Sequence, residues 1–188
     1  MLRTNSLAVA LAFGHAAAIV ILGYILLGLM PMLLFASGFI GGLLVWLVKP
    51  QVPSFAEIRA PYILTLVLFG LHKVEEREMD FFPALATITG VTPPADGSAG
   101  AVVLYALAMM WLLVPFLLAR SMPFGSYLAW TLFIAMGVVE IAHFVFPLFR
   151  TGPYGYFPGM LTAAPLAAAA WWGIWRLGNE TGQSRIDP

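Results

Sequence analysis

An all-α, polytopic bundle of transmembrane helices is the fold class the sequence predicts, on three observations. Of the 188 residues, 61% are hydrophobic and the mean hydropathy is +0.92. Only 10% are charged, against about 25% in ordinary soluble domains. The apolar residues also fall in runs of membrane-crossing length, and the first, Leu7 to Val48, carries no formal charge. A soluble domain this apolar would associate through its surface, and disorder requires low hydrophobicity. Nine Lys and Arg balance nine Asp and Glu, so the basic excess of a nucleic-acid binder is missing and no nucleic-acid partner is expected. Cysteine is absent, which excludes disulfides, thiolate metal sites and Cys nucleophiles. The expectation is one integral membrane domain over residues 1–188, with the lipid bilayer as its first partner.

About six spans follow in order. Leu7–Val48 is too long for one crossing of ~20 residues and fits two. Pro31, with Gly28 nearby, is the expected break, because proline lacks the amide proton that helix continuation needs. Arg3 ahead of an apolar run also resembles a signal peptide, but the tract continues past any cleavage site, which favours a span. Lys49 to Ala60 reads as a polar connector, and a third span starts near Pro61 and enters a charged cluster. Phe82 to Gly100, with Pro93-Pro94 and Asp96-Gly97, reads as a loop or partly re-entrant segment and Asp96 as a turn residue. Ala101–Ala119 is a fourth span, Phe124–Phe149 a fifth and Gly159–Trp175 a sixth.

An even number of spans puts both termini on one side. With the termini cytoplasmic, the inner side collects Arg3, Lys49, Arg59, Arg120, Arg176 and Arg185, and the outer side Lys73, Arg77 and Arg150. That two-to-one bias obeys the positive-inside rule. Trp46, Trp171, Trp172 and Trp175 fall near the inner interface, as an aromatic belt does.

Ionisable residues at membrane depth are expensive and mark function by default. One group is His72-Lys73-Val74-Glu75-Glu76-Arg77-Glu78-Met79-Asp80. On a helix His72 shares a face with Glu75 and Glu76, and Glu76 leads on to Asp80. A span that has reached water would explain these charges, but the third span needs them to cross ~30 Å. The other group is Glu140 and His143, one helical turn apart with apolar residues on both sides. A glutamate there needs a partner, a proton or a metal. The third and fifth spans run in the same direction, which sets His72 level with Glu140, and Glu75 or Glu76 level with His143. Two histidines and up to four carboxylates then converge at one buried point, toward the outer leaflet.

That set predicts a metal centre. His72, Glu75, Glu76, Glu140 and His143 are the candidate ligands, and Zn or Fe, mono- or dinuclear, the candidate ions. Glu-x-x-His pairs with extra glutamates build dinuclear sites in helix bundles, and Glu140–His143 has that spacing. Glu75, Glu140 and Tyr156 are the candidate catalytic groups, with one carboxylate as general base. His15, in the first span, reads as a packed histidine bonded to a neighbouring helix. Arg150 reads as a snorkelling anchor.

His72-Lys73-Val74-Glu75-Glu76, then His143, then Tyr156-Phe157-Pro158-Gly159 resemble, in order, the His-x-x-Glu-Glu, second-histidine and Tyr-x-Pro-Gly motifs of the HXXEE-domain family. Those are small bacterial integral membrane proteins. The resemblance covers residues 61–175 and implies a bacterial cytoplasmic membrane. It strengthens His72, Glu75, Glu76, His143 and Tyr156 as site residues and names no reaction. The expected function is a metal-dependent membrane enzyme, an oxidoreductase or hydrolase, acting on a lipid-like or isoprenoid substrate. The rivals are a metal-free acid/base isomerase or hydratase, a proton-coupled carrier and a structural or assembly protein.

Overall fold

The computed structural model describes residues 6–95 and 97–179; the turn expected at Asp96, and Arg3 and Arg185 of the charge count, lie outside them. The described residues form helices and no strand. The long elements are α1 (Ser6–Leu27), α2 (Leu29–Val48), α3 (Phe55–Glu78), a short α4 (Phe81–Thr89), α5 (Ala99–Ala119), α6 (Pro123–Phe144) and α7 (Met160–Asn179). Five of them, α1, α2, α3, α5 and α6, are long and apolar enough to cross a membrane. The 20-residue α7 is a sixth long helix, less apolar because it carries Arg176 and Pro165.

Three boundaries differ from the sequence expectation, each for a local reason. The break between the first two spans is at Gly28, whose φ of 90° is open to glycine, and Pro31 sits inside the first turn of α2. Proline is tolerated there because the first amides of a helix have no intrahelical acceptor. Helix α3 starts at Phe55 rather than near Pro61, set by a capping box in which the Ser54 amide donates to Glu57 Oε2 at 2.8 Å. The expected loop after Phe82 begins instead with α4. Asp80, at φ 57°, reverses the chain before it and so leaves the face that carries Glu76.

Helix α6 is the axis of the bundle: 78% of its most apolar window is buried, against 17–33% for the other four candidate spans. Helix α7 packs against both α3 and α6, and the second half of α2 packs on α6. Small residues permit the close approach, as they do in membrane helices generally. His15 is the packed histidine expected. Its Nε2–H donates to the Leu107 carbonyl at 3.0 Å, and its Nδ1 accepts from the Tyr127 hydroxyl at 2.9 Å. At one end of the bundle Lys49 Nζ donates to the Gly178 carbonyl and Arg176 Nε to the Glu57 carbonyl. These tie α7 to α2 and α3, and the candidate site lies at the opposite end.

A Cβ on Gly42 would stand 2.8 Å from Thr131 Cα, whereas one on Gly70 would meet nothing within 4 Å. Gly42→Ala should therefore lower stability by ~1–3 kcal/mol, since backbone cannot step aside. Gly70→Ala should be neutral or slightly stabilising. Unfolding midpoints in a denaturing-detergent titration check the contrast.

Candidate metal centre

Two helices running in the same direction supply four side chains. His72 and Glu76 are four residues apart on α3 and share its inward face. Glu140 and His143 lie where α6 tightens into a 3₁₀ segment, Val139–Phe144. In that geometry residues three apart eclipse, so the two side chains stack in line and aim at the same point. One ligand atom from each of the four lies within 4.8 Å of all the others. All four are buried, none more than 6% exposed.

The internal distances define one centre. His72 Nε2 is 2.9 Å from Glu140 Oε2 and 3.2 Å from Glu76 Oε1. His143 Nε2 is 3.2 Å from Glu140 Oε2 and 3.4 Å from Glu76 Oε1. The two rings meet edge to face, centroids 4.7 Å apart. Each imidazole nitrogen thus faces both carboxylates, and each carboxylate oxygen faces both imidazoles.

The outer nitrogens fix what the inner ones offer. His143 Nδ1 lies 2.6 Å from the Pro158 carbonyl, which only accepts, so Nδ1 carries the proton. His72 Nδ1 lies 2.8 Å from Thr162 Oγ1, and the Thr162 hydroxyl donates to Glu75 Oε2. Its one hydrogen being so used, Thr162 accepts from His72, and Nδ1 carries the proton there too. In their neutral forms both imidazoles would turn Nε2 lone pairs toward carboxylate oxygens, acceptor against acceptor. His72 Nε2 is buried and makes no hydrogen bond. A shared cation would resolve this, and fixing Nδ1–H with a second partner is how proteins orient metal-binding histidines. The four nitrogen–oxygen spacings of 2.9–3.4 Å, with all four atoms within 4.8 Å of one another, would admit one ion among them. The two-nitrogen, two-oxygen set fits Zn, Fe or Mn.

Glu75, expected among the ligands, is outside this group. It faces α7, where Oε1 accepts the Leu161 amide at 3.0 Å and the Tyr156 hydroxyl at 2.7 Å, and Oε2 accepts the Thr162 amide at 2.9 Å. The carboxylate caps α7 from another helix, satisfying amides the helix cannot satisfy itself and complementing its dipole. Tyr156 accordingly meets Glu75 and not the cluster. Partial burial and then the adjacent Glu75 carboxylate push its phenol up to about 12, so it stays a donor across the physiological range.

Three contributors have no counterpart in the sequence reading, namely Thr162, the Pro158 carbonyl and the missing Cβ of Gly159, whereas Lys73 stands in the stripe that can pair with the acids. Thr162 and the Pro158 carbonyl orient the histidines. Lys73 pairs with Glu76 Oε2 at 2.5 Å, leaving Oε1 for the histidines. Gly159, at φ 94°, passes so close that a Cβ would collide with the His143 ring and lie 2.8 Å from His72 Cε1. The Pro158–Gly159 segment thus lies across both imidazoles. Only the hydroxyl of Thr162, alone in the first turn of an apolar helix, was a visible signal.

A cavity of about 170 Å³ opens on the cluster. Lys73, Glu76, Glu140 and His143 line it, and most of the remaining wall is apolar, including Leu34, Phe35, Leu104 and Met136. No family model, no curated protein and no solved structure matches this chain.

If Thr162 sets the His72 tautomer, Thr162→Val should weaken binding of Zn or Co at the cluster by about 10–100-fold, the usual cost of losing such a partner. Thr162→Ser, which keeps the hydroxyl, should restore it. Titration of the purified protein with Co, read by its visible absorption, checks both.

Proposed function

We propose that His72, Glu76, Glu140 and His143 hold one divalent transition metal, Zn or Fe, and that the protein is a membrane enzyme acting on a lipid-like or isoprenoid substrate. The observation that carries this reading is the convergence of two imidazole Nε2 atoms and two buried carboxylate oxygens around one point, with both Nδ1 atoms held by other partners. Four ligands about a single centre favour a mononuclear site over the dinuclear alternative. A bound ion there would polarise a substrate oxygen or lower the pKa of a bound water. The chain's own groups would do the rest. Thr162 and Pro158 hold the two ring orientations. Lys73 offsets the Glu76 charge and stands at the cavity wall. The apolar residues exclude bulk water and take up the hydrocarbon part of the substrate.

The resemblance of His72–Glu76, His143 and Tyr156–Gly159 to the HXXEE motifs supports treating these segments as one site, since they come together around the cluster. We also place the protein in a bacterial cytoplasmic membrane with both termini inside and the cluster toward the outer leaflet. The support is the bias of six basic residues to three between the sides, together with the clustering of Lys49, Arg176 and Glu57 at the end away from the site.

Elemental analysis of protein purified without added metal should find close to one equivalent of transition metal. His72→Ala and His143→Ala, shown folded by circular dichroism, should each lose it. A folded wild-type protein that neither retains nor takes up Zn, Fe or Mn overturns the metal reading and favours proton chemistry at the same residues.

A further inference from the structure

The cavity does not end at the cluster. Glu76, Glu140 and His143 stand in its wall, and apolar lining continues past them in both directions along the bundle axis. On α6 it starts at Ala135, one turn and more before Glu140, and it continues past the end of that helix to Phe146. On α5 it runs from Ala101 to Trp111, about 15 Å of helix, and on α2 from Pro31 to Phe39, about 12 Å. The mid-bundle end is closed by Ile19, Phe39 and Trp111, the last two stacked with centroids 5.6 Å apart. The other end is framed by Leu27, Pro31, Phe82, Leu85 and Pro94, beside the turn after α1 and the loop before α5. Helix α3 meets α5 along Val114–Ala119. Farther toward the site Phe69 meets Trp111 edge to face, centroids 5.7 Å apart, and Phe69 and Lys73 share the cavity wall with Leu104, Tyr105 and Ala108.

We propose that this slot binds one hydrocarbon chain lengthwise, that of a single-chain acyl or isoprenoid amphiphile, so that a mid-chain position lies beside the cluster. The polar head sits at the Pro31–Pro94 end and the chain tip rests against Phe39 and Trp111. This rests on the function proposed above and deepens it, because it names the part of the substrate that meets the metal. A ligand that bound head-first to the cluster would leave the segment between Ala135, Phe39 and Trp111 without an occupant. The polar group of that segment is the Trp111 indole N–H, already given to Thr131 Oγ1 at 3.2 Å, and buried water needs two to four polar partners. A chain entering from the outer end fills it with methylene groups. Such a chain would come from the bilayer.

Trp111, at the closed end, is the reporter. The probes are stearic acids dibrominated near the carboxyl, at mid-chain and near the tip, added to the full-length protein in detergent with and without Zn. Saturable quenching of tryptophan fluorescence should be several-fold stronger for bromine near the tip than near the carboxyl, and Trp111→Phe should abolish that difference. Ala108→Phe, which fills the slot, should weaken binding about tenfold; Leu104→Phe is a second blocking variant. Quenching that is unsaturable, equal along the series or strongest near the carboxyl overturns the proposal. Metal content is measured on the same samples. Position-dependent quenching without metal binding overturns the proposed metal centre alone, and metal binding without it overturns the lengthwise slot alone.

Discussion

Two imidazole nitrogens and two carboxylate oxygens, all of them acceptors while the imidazoles are neutral, meet buried in an apolar bundle. Burying one such group without a partner costs several kcal/mol, and charges at this depth are tolerated only when they are paired or coordinated. Much of the surrounding structure serves to hold this arrangement. Helix α6 gives up regular α-helical geometry at Val139–Phe144, where a continued α-helix would splay Glu140 and His143 apart by the offset between 3.0 and 3.6 residues per turn. Asp80 takes a left-handed conformation immediately after α3, which ends the charged run and returns the chain to apolar residues.

The same constraint explains how α7 is placed. A helix leaves its first amides without intrahelical acceptors. Glu75 supplies them from α3, and the Thr162 hydroxyl, drawn to the same carboxylate, becomes the acceptor that orients His72. One carboxylate therefore seats a helix and, through one hydroxyl, sets a tautomer two bonds away. The adjacent residue on α3, Glu76, has a different role because its neighbours differ. It points to the histidines and to Lys73 rather than to helix amides. Sequence adjacency made the two glutamates look equivalent; helical geometry sends them to different partners.

What the sequence made legible follows from which signals are local. Apolar run lengths reveal long helices, and the 3- and 4-residue spacings within α3 and α6 pick out His72, Glu76, Glu140 and His143, together with the pairing of His72 with Glu140 across parallel helices. Boundaries were less legible, because proline signals a break at Pro31 and Pro61 when Gly28 and the Ser54–Glu57 capping box are the stronger local determinants. The supporting contacts were illegible for another reason. Pro158 contributes a backbone carbonyl and Gly159 a missing Cβ, neither of which has a side-chain chemistry to notice. Thr162 acts across 90 residues of chain, a separation that no spacing rule reaches.

Charge alone does not distinguish an ion from protons at this centre. Glu76, Glu140 and Lys73 sum to one negative charge. Adding one divalent cation gives one positive charge, and protonating both imidazoles gives the same. Directionality separates the two states. An imidazolium Nε2–H is a single donor that prefers one acceptor near its axis, above 150° at the hydrogen. Here each Nε2 divides its approach between two oxygens at 2.9 and 3.2 Å, or at 3.2 and 3.4 Å. A metal at the common centre has no such preference for one partner and takes all four atoms at once. The side of the centre that faces the apolar cavity is where a fifth group, water or substrate, would approach. A catalytic centre requires that open side, and a purely structural one closes it.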